Sequence, residues 1–158
     1  MNAAKVLWGL ILLVGFAATQ LYGVPGGLSE ANAWIAWSII IFVLTWVVGR
    51  TLKPQPDKAA SGAWMTLMIF GLILSLVIAG TAMQGTSWVP LWWLMSLWFL
   101  VLGAAKFATM GQKDPAVMAV SVVYLFSALF VAGWGANYWL IGGIVFGLPA
   151  IIHGLMKD

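Results

Sequence analysis

The chain has 158 residues, 63% of them hydrophobic and only 7% charged, with a formal net charge of +3. A soluble domain carries about a quarter of its residues as charges, so this composition excludes an ordinary water-soluble fold and makes the bilayer the expected solvent. The chain has no cysteine, which excludes disulfides, thiolate metal sites, iron–sulfur clusters and cysteine nucleophiles.

Apolar runs recur at the length a helix needs, about 20 residues, to cross the hydrocarbon layer. The first is predicted at 4–22 and ends in the turn-forming stretch GVPGGLSEAN. Its length and weak small-residue site set it apart from a cleaved signal peptide, so it is expected to persist as a span. The second, 32–48, stops at Arg50 before the polar loop RTLKPQPDKAASG. The third covers 63–83. The fourth, 88–107, is expected to begin with Ser87 as N-cap and Pro90 in its first turn. In the fifth, 115–133, Asp114-Pro115 reads as a cap followed by proline at the first helical position. GWGAN turns the chain into the sixth, 138–155, where Pro149 is a candidate kink. The expected fold is all-α: one transmembrane domain over 1–158, a polytopic bundle of six helices in three tandem hairpins.

Charge placement supports the count. With six crossings, Lys5, Arg50, Lys53, Lys58, Lys106, Lys113 and Lys157 all fall on one side, and the other side carries only Glu30. The positive-inside rule then puts both termini in the cytoplasm of a cell carrying the chain as a multi-pass protein of its inner membrane. Seven dispersed basic residues form no nucleic-acid face. Lys106 closes an apolar run, and its long stem is expected to carry the ammonium to the headgroups. A buried cation for an anionic substrate is the competing reading. Indole rings prefer the interface; Trp34, Trp37, Trp88, Trp92, Trp93 and Trp139 are expected there as outer anchors, whereas Trp98 falls inside a helix and reads as packing.

The hairpins also resemble one another. GLILLVGFAATQLYG and GLILSLVIAGTAMQG open the first two, and YLFSALFVAGWGAN is a looser third copy. The register aligns Gln20, Gln84 and Asn137 at the outer ends, where three amides around an axis would form a polar mouth for a neutral solute. The plainer reading is amides that cap helices and meet water.

Catalytic chemistry is not visible. Glu30, Asp57, Asp114 and Asp158 are the only acids and lie in loops or at the terminus, so no carboxylate pair serves acid–base work and no mid-depth acid relays protons. His153 is the sole histidine and the one metal candidate, but it cannot alone provide bis-histidine haem ligation, so no cofactor is expected. Isolated Ser and Thr residues read as donors between helices. Gly143 and Gly147 form a GxxxG pair, for internal packing or for a partner chain. The expected function is that of a non-enzymatic membrane protein, a structural or accessory subunit surrounded by lipid and by other membrane subunits or its own copies. The alternative is a small neutral-solute channel or facilitator.

Overall fold

A long apolar run must satisfy its backbone N–H and C=O groups internally, and the helix does this without leaving an edge. The computed structural model describes residues 3–22, 29–51, 58–87, 89–108 and 114–156 and, for 48–51 and 58–61, the backbone alone. Its regular elements are all helical: α1 (Ala3–Tyr22), α2 (Glu30–Thr51), α3 (Lys58–Met83), α4 (Trp93–Lys106), α5 (Pro115–Phe130) and α6 (Tyr138–Met156), with a 3₁₀ segment at Val131–Asn137. Four apolar stretches are long enough to cross a membrane, namely Ala3–Tyr22, Glu30–Val47, Gly62–Met83 and Pro115–Met156; Trp93–Lys106 is a shorter apolar helix.

The last of those stretches is not one rod. Gly135 has φ 55° and ψ −136°, a conformation open to glycine and barely to other residues. The chain folds back there, because the Tyr124 hydroxyl donates to the Phe146 carbonyl at 2.9 Å. In a straight helix those residues would stand about 33 Å apart at 1.5 Å per residue.

α5 starts where Asp-Pro predicts. Asp114 is extended, its carboxylate accepts from the Ala116 N–H at 3.0 Å, and Pro115 follows at the first helical position. α4 starts later than expected. Ser87 does not cap it; its hydroxyl donates to the Val89 carbonyl and accepts from the Val89 N–H. Proline disfavours helical geometry in the residue before it, so Val89 stays outside. Three-residue turns then lead in, with Trp93, Leu94 and Met95 donating to Pro90, Leu91 and Trp92.

Each helix touches its sequence neighbours, and α1 closes on α6. The most extensive packing joins α1 to α6, α4 to α5 and α2 to α3, rather than the two arms of each expected hairpin. Small residues explain the first. A Cβ built on Gly147 would meet the Gly9 carbonyl at 2.6 Å, and one on Gly143 the Phe16 Cβ at 2.9 Å. The GxxxG face is therefore spent inside this chain, against α1. The repeat register is not repeated in packing: Gly9 faces α6, whereas the aligned Gly71 faces Val101 of α4.

The centre is filled with rings. Phe99 of α4 stacks on Phe146 of α6 at 4.0 Å, and Trp34 of α2 on Trp139 of α6 at 4.4 Å. Phe16 meets Trp37, Trp139 and Phe146 edge-on. Trp98, Tyr124, Leu12 and Leu94 are fully enclosed among them.

Candidate functional site

Two contacts define the ends of the bundle. At one, Tyr138 at the start of α6 hydrogen-bonds Glu30 at the start of α2 and accepts from the Trp34 indole at 3.3 Å. At the other, Lys5 near the start of α1 donates to His153 near the end of α6. α4 runs toward that second, charged end, because Lys106 lies over the ring of Trp8 on α1, its Nζ 6.0 Å from the centroid.

The three amides stand at or beyond helix ends away from the charged end. Gln84 and Asn137 are exposed, and Gln20 is half-buried. The Gln20 Oε1 is buried without a hydrogen-bond partner, so it accepts from neither of the others.

The tryptophans expected at the outer rim divide. Trp34 and Trp139 are buried between helices, Trp37 and Trp92 are half-buried, Trp93 is 52% exposed, and Trp88 lies outside the described residues. Several indoles bond helix to helix. Trp8 donates to Thr45 at 3.2 Å, Trp37 to Thr19 at 3.1 Å and Trp98 to Ser38 at 3.2 Å. Of the hydroxyls expected to donate between helices, Thr45, Thr66, Ser75 and Ser121 donate within their own, to the carbonyl four residues back, and Thr19 does the same. In Thr19 and Thr45 this leaves a lone pair for the indoles of Trp37 and Trp8.

The charged end carries the densest chemistry. Lys5 Nζ stands 3.4 Å from His153 Nδ1, and His153 Nε2 stands 3.8 Å from Asp114 Oδ2. An ammonium only donates, so Nδ1 is the acceptor and the imidazole proton sits on Nε2, which at 3.8 Å from the Asp114 carboxylate is too far for a direct hydrogen bond to it. α1, α6 and the cap of α5 thus converge around one buried histidine, which is hydrogen-bonded to Lys5 of α1. Lys106 from α4 approaches over Trp8, one turn beyond Lys5 on α1. Its nitrogen is thus turned onto α1, a placement that the snorkelling expectation did not contain. Among the described residues no group of three or more His, Asp or Glu side chains gathers as a metal site. Lys53, Lys113 and Lys157 lie outside the described residues, as do the side chains of Arg50 and Lys58.

Sequence reasoning treated Lys5, Asp114 and His153 as separate loop or interfacial groups. The signal that links them is the buried stripe of α6, where His153 continues the spacing of Trp139, Gly143, Phe146 and Ala150. That stripe packs on α1, and Lys5 is one turn before Gly9.

The fold and the site define a class, an all-helical bundle of membrane type with an aromatic centre and one charged end. Comparison with family models, with curated proteins and with solved structures gives no match.

Proposed function

We propose that the chain crosses the cell's inner membrane six times with both termini in the cytoplasm, and that it serves there as a non-catalytic structural or accessory subunit of a larger assembly. The observation that carries this reading is the filled centre. Phe99, Phe146, Trp34 and Trp98 occupy the place where a facilitator needs a path, and the indole N–H groups described above are committed to helix–helix bonds. The reversal at Gly135 supports counting Pro115–Met156 as two crossings. The outward faces remain apolar, as lipid or a neighbouring subunit requires: Phe70, Ile73, Val77, Phe126 and Leu129 are exposed.

The test is purification from native membranes in a mild detergent, followed by mass spectrometry of the intact complex. A second membrane chain in fixed stoichiometry is the expected result. A homo-oligomer that passes a neutral solute into liposomes would replace this reading with the facilitator, whose proposed mouth of Gln20, Gln84 and Asn137 has no mutual hydrogen bonding through Gln20 Oε1 to support it.

A further inference from the structure

We infer that Tyr138, at the start of α6, is a redox-active tyrosine: a chain of touching rings carries its electron to a one-electron oxidant, and Glu30 of α2 takes its hydroxyl proton. The site is complete within one chain, so the inference does not rest on the subunit reading.

The proton makes the first argument. A phenol gives up an electron readily only when its proton leaves in the same step, because an oxidised phenol that keeps its proton is a very strong acid. Tyr138 meets that requirement. Its hydroxyl donates to the Glu30 carboxylate, a group that only accepts when ionised. Glu30 is exposed, so it can pass the proton on to water. The Trp34 indole N–H donates to the same phenol oxygen at 3.3 Å, so that oxygen keeps a partner after its proton has gone. Tyr124 donates instead to the Phe146 carbonyl, a far weaker base than a carboxylate, and Tyr22 is 86% exposed. Among the described residues, Tyr138 is the tyrosine whose hydroxyl meets a carboxylate.

The electron makes the second. Tyr138 stacks on Trp139 at 5.2 Å, and Trp139 on Trp34 at 4.4 Å. Phe16 then bridges Trp139, at 5.2 Å, to Trp37, at 4.6 Å. Trp37 is half-buried and brings the chain of rings to the surface of the bundle, whereas Trp34, Tyr138 and Trp139 are enclosed. A phenoxyl so enclosed does not meet a second one and couple with it. The oxidant suited to this place is a peroxyl radical of the surrounding lipid. It takes one electron by way of Trp37 and becomes the hydroperoxide anion, and Tyr138 becomes the neutral phenoxyl. The Tyr138 proton moves to Glu30 and through water to the anion, which completes the hydroperoxide. One electron and one proton are transferred; the O–H bond of Tyr138 breaks and that of the hydroperoxide forms.

The full chain in a neutral maltoside detergent is oxidised by azide radicals from pulse radiolysis, which attack tryptophan first, and the tyrosyl radical is followed by its absorption. Transfer from tryptophan to tyrosine within the chain is expected. Most of the tyrosyl signal should be lost in Tyr138→Phe and kept in Tyr22→Phe and Tyr124→Phe. Glu30→Gln keeps a hydrogen-bond acceptor but not the base, and should slow formation of the radical about 100-fold, the lower end of what a positioned base contributes to a proton transfer. A tyrosyl yield unchanged in Tyr138→Phe, or a rate unchanged in Glu30→Gln, overturns the proposal. If Tyr138→Phe does not fold, Glu30→Gln, at an exposed position, decides alone. In a second arm, vesicles of an unsaturated phosphatidylcholine are exposed to a peroxyl-generating azo initiator. Oxygen uptake should be lower with the wild-type chain than with Glu30→Gln or Tyr138→Phe; equal uptake overturns the peroxyl radical as the oxidant.

Discussion

At the scale of the residue, the informative side chain is tryptophan. Eleven tryptophans in 158 residues invite the interfacial reading, since an indole is an apolar body with one polar N–H. Trp98 shows the other use: it is fully enclosed and donates to Ser38 across α2 and α4. A buried N–H without a partner is costly, so removing either side should be felt by the other. A double-mutant cycle of Trp98→Phe and Ser38→Ala is expected to give a coupling of about 0.6–1.7 kcal/mol, the range for polar contacts between membrane helices. Unfolding in mixed detergent, followed by tryptophan emission, measures it, and additive single effects would show that the 3.2 Å contact contributes nothing. Which tryptophans face inward was not legible in the sequence. In water, polar residues mark the outer face of a helix; in lipid both faces are apolar and the contrast disappears. Trp34, enclosed, and Trp93, 52% exposed, both have apolar residues on either side of them in the chain.

At the scale of the element, existence was legible and contact was only partly so. Runs of about 20 apolar residues announce helices by length alone, and Asp114-Pro115 marks a start to the residue. Val89-Pro90 hid the late start of α4, because a serine before an apolar run looks like a cap whether or not its hydroxyl is taken by a local turn. The glycines carry two opposed expectations. Gly147 lies against the α1 backbone, so Gly147→Leu must push α1 and α6 apart and should cost about 3 kcal/mol. Gly80, inside α3, has open space where a Cβ would go, so Gly80→Ala should be neutral or stabilise by up to about 1 kcal/mol through helix propensity. Gly135 also has open space, yet its backbone angles make Gly135→Ala unfavourable by about 1–3 kcal/mol. Thermal unfolding of the three variants in one detergent ranks them. Loss at Gly80 equal to that at Gly147 would mean that glycine content, not close approach, sets stability.

At the scale of the whole molecule, charge placement belongs to the sequence and closure of the bundle to its packing. The sequence places every lysine and arginine on one side once six crossings are counted, but it gives no reason for α1 to close on α6 or for four helix ends to meet. Closure follows from Gly9, Gly143 and Gly147, which let two backbones touch. It brings Lys5 to His153, while the cap of α5 brings Asp114 and the end of α4 brings Lys106. Glu30 and Tyr138 mark the other end. Basic residues are retained on the cytoplasmic side during insertion, so the charged end is expected to face the cytoplasm. The natural chain has no cysteine, so single cysteines can be introduced without background. Cysteines at Lys53 and Gln112 should react with a membrane-impermeant maleimide only from the cytoplasmic side, and those at Gly27 and Thr86 only from the opposite side. Thr86 is the most demanding position, because it lies in the turn between α3 and the shortest helix, α4. If α4 dips into the bilayer and returns instead of crossing, Thr86 and Gln112 will label from the same side. The six-crossing topology then fails, while the packing of α4 against α5 stands.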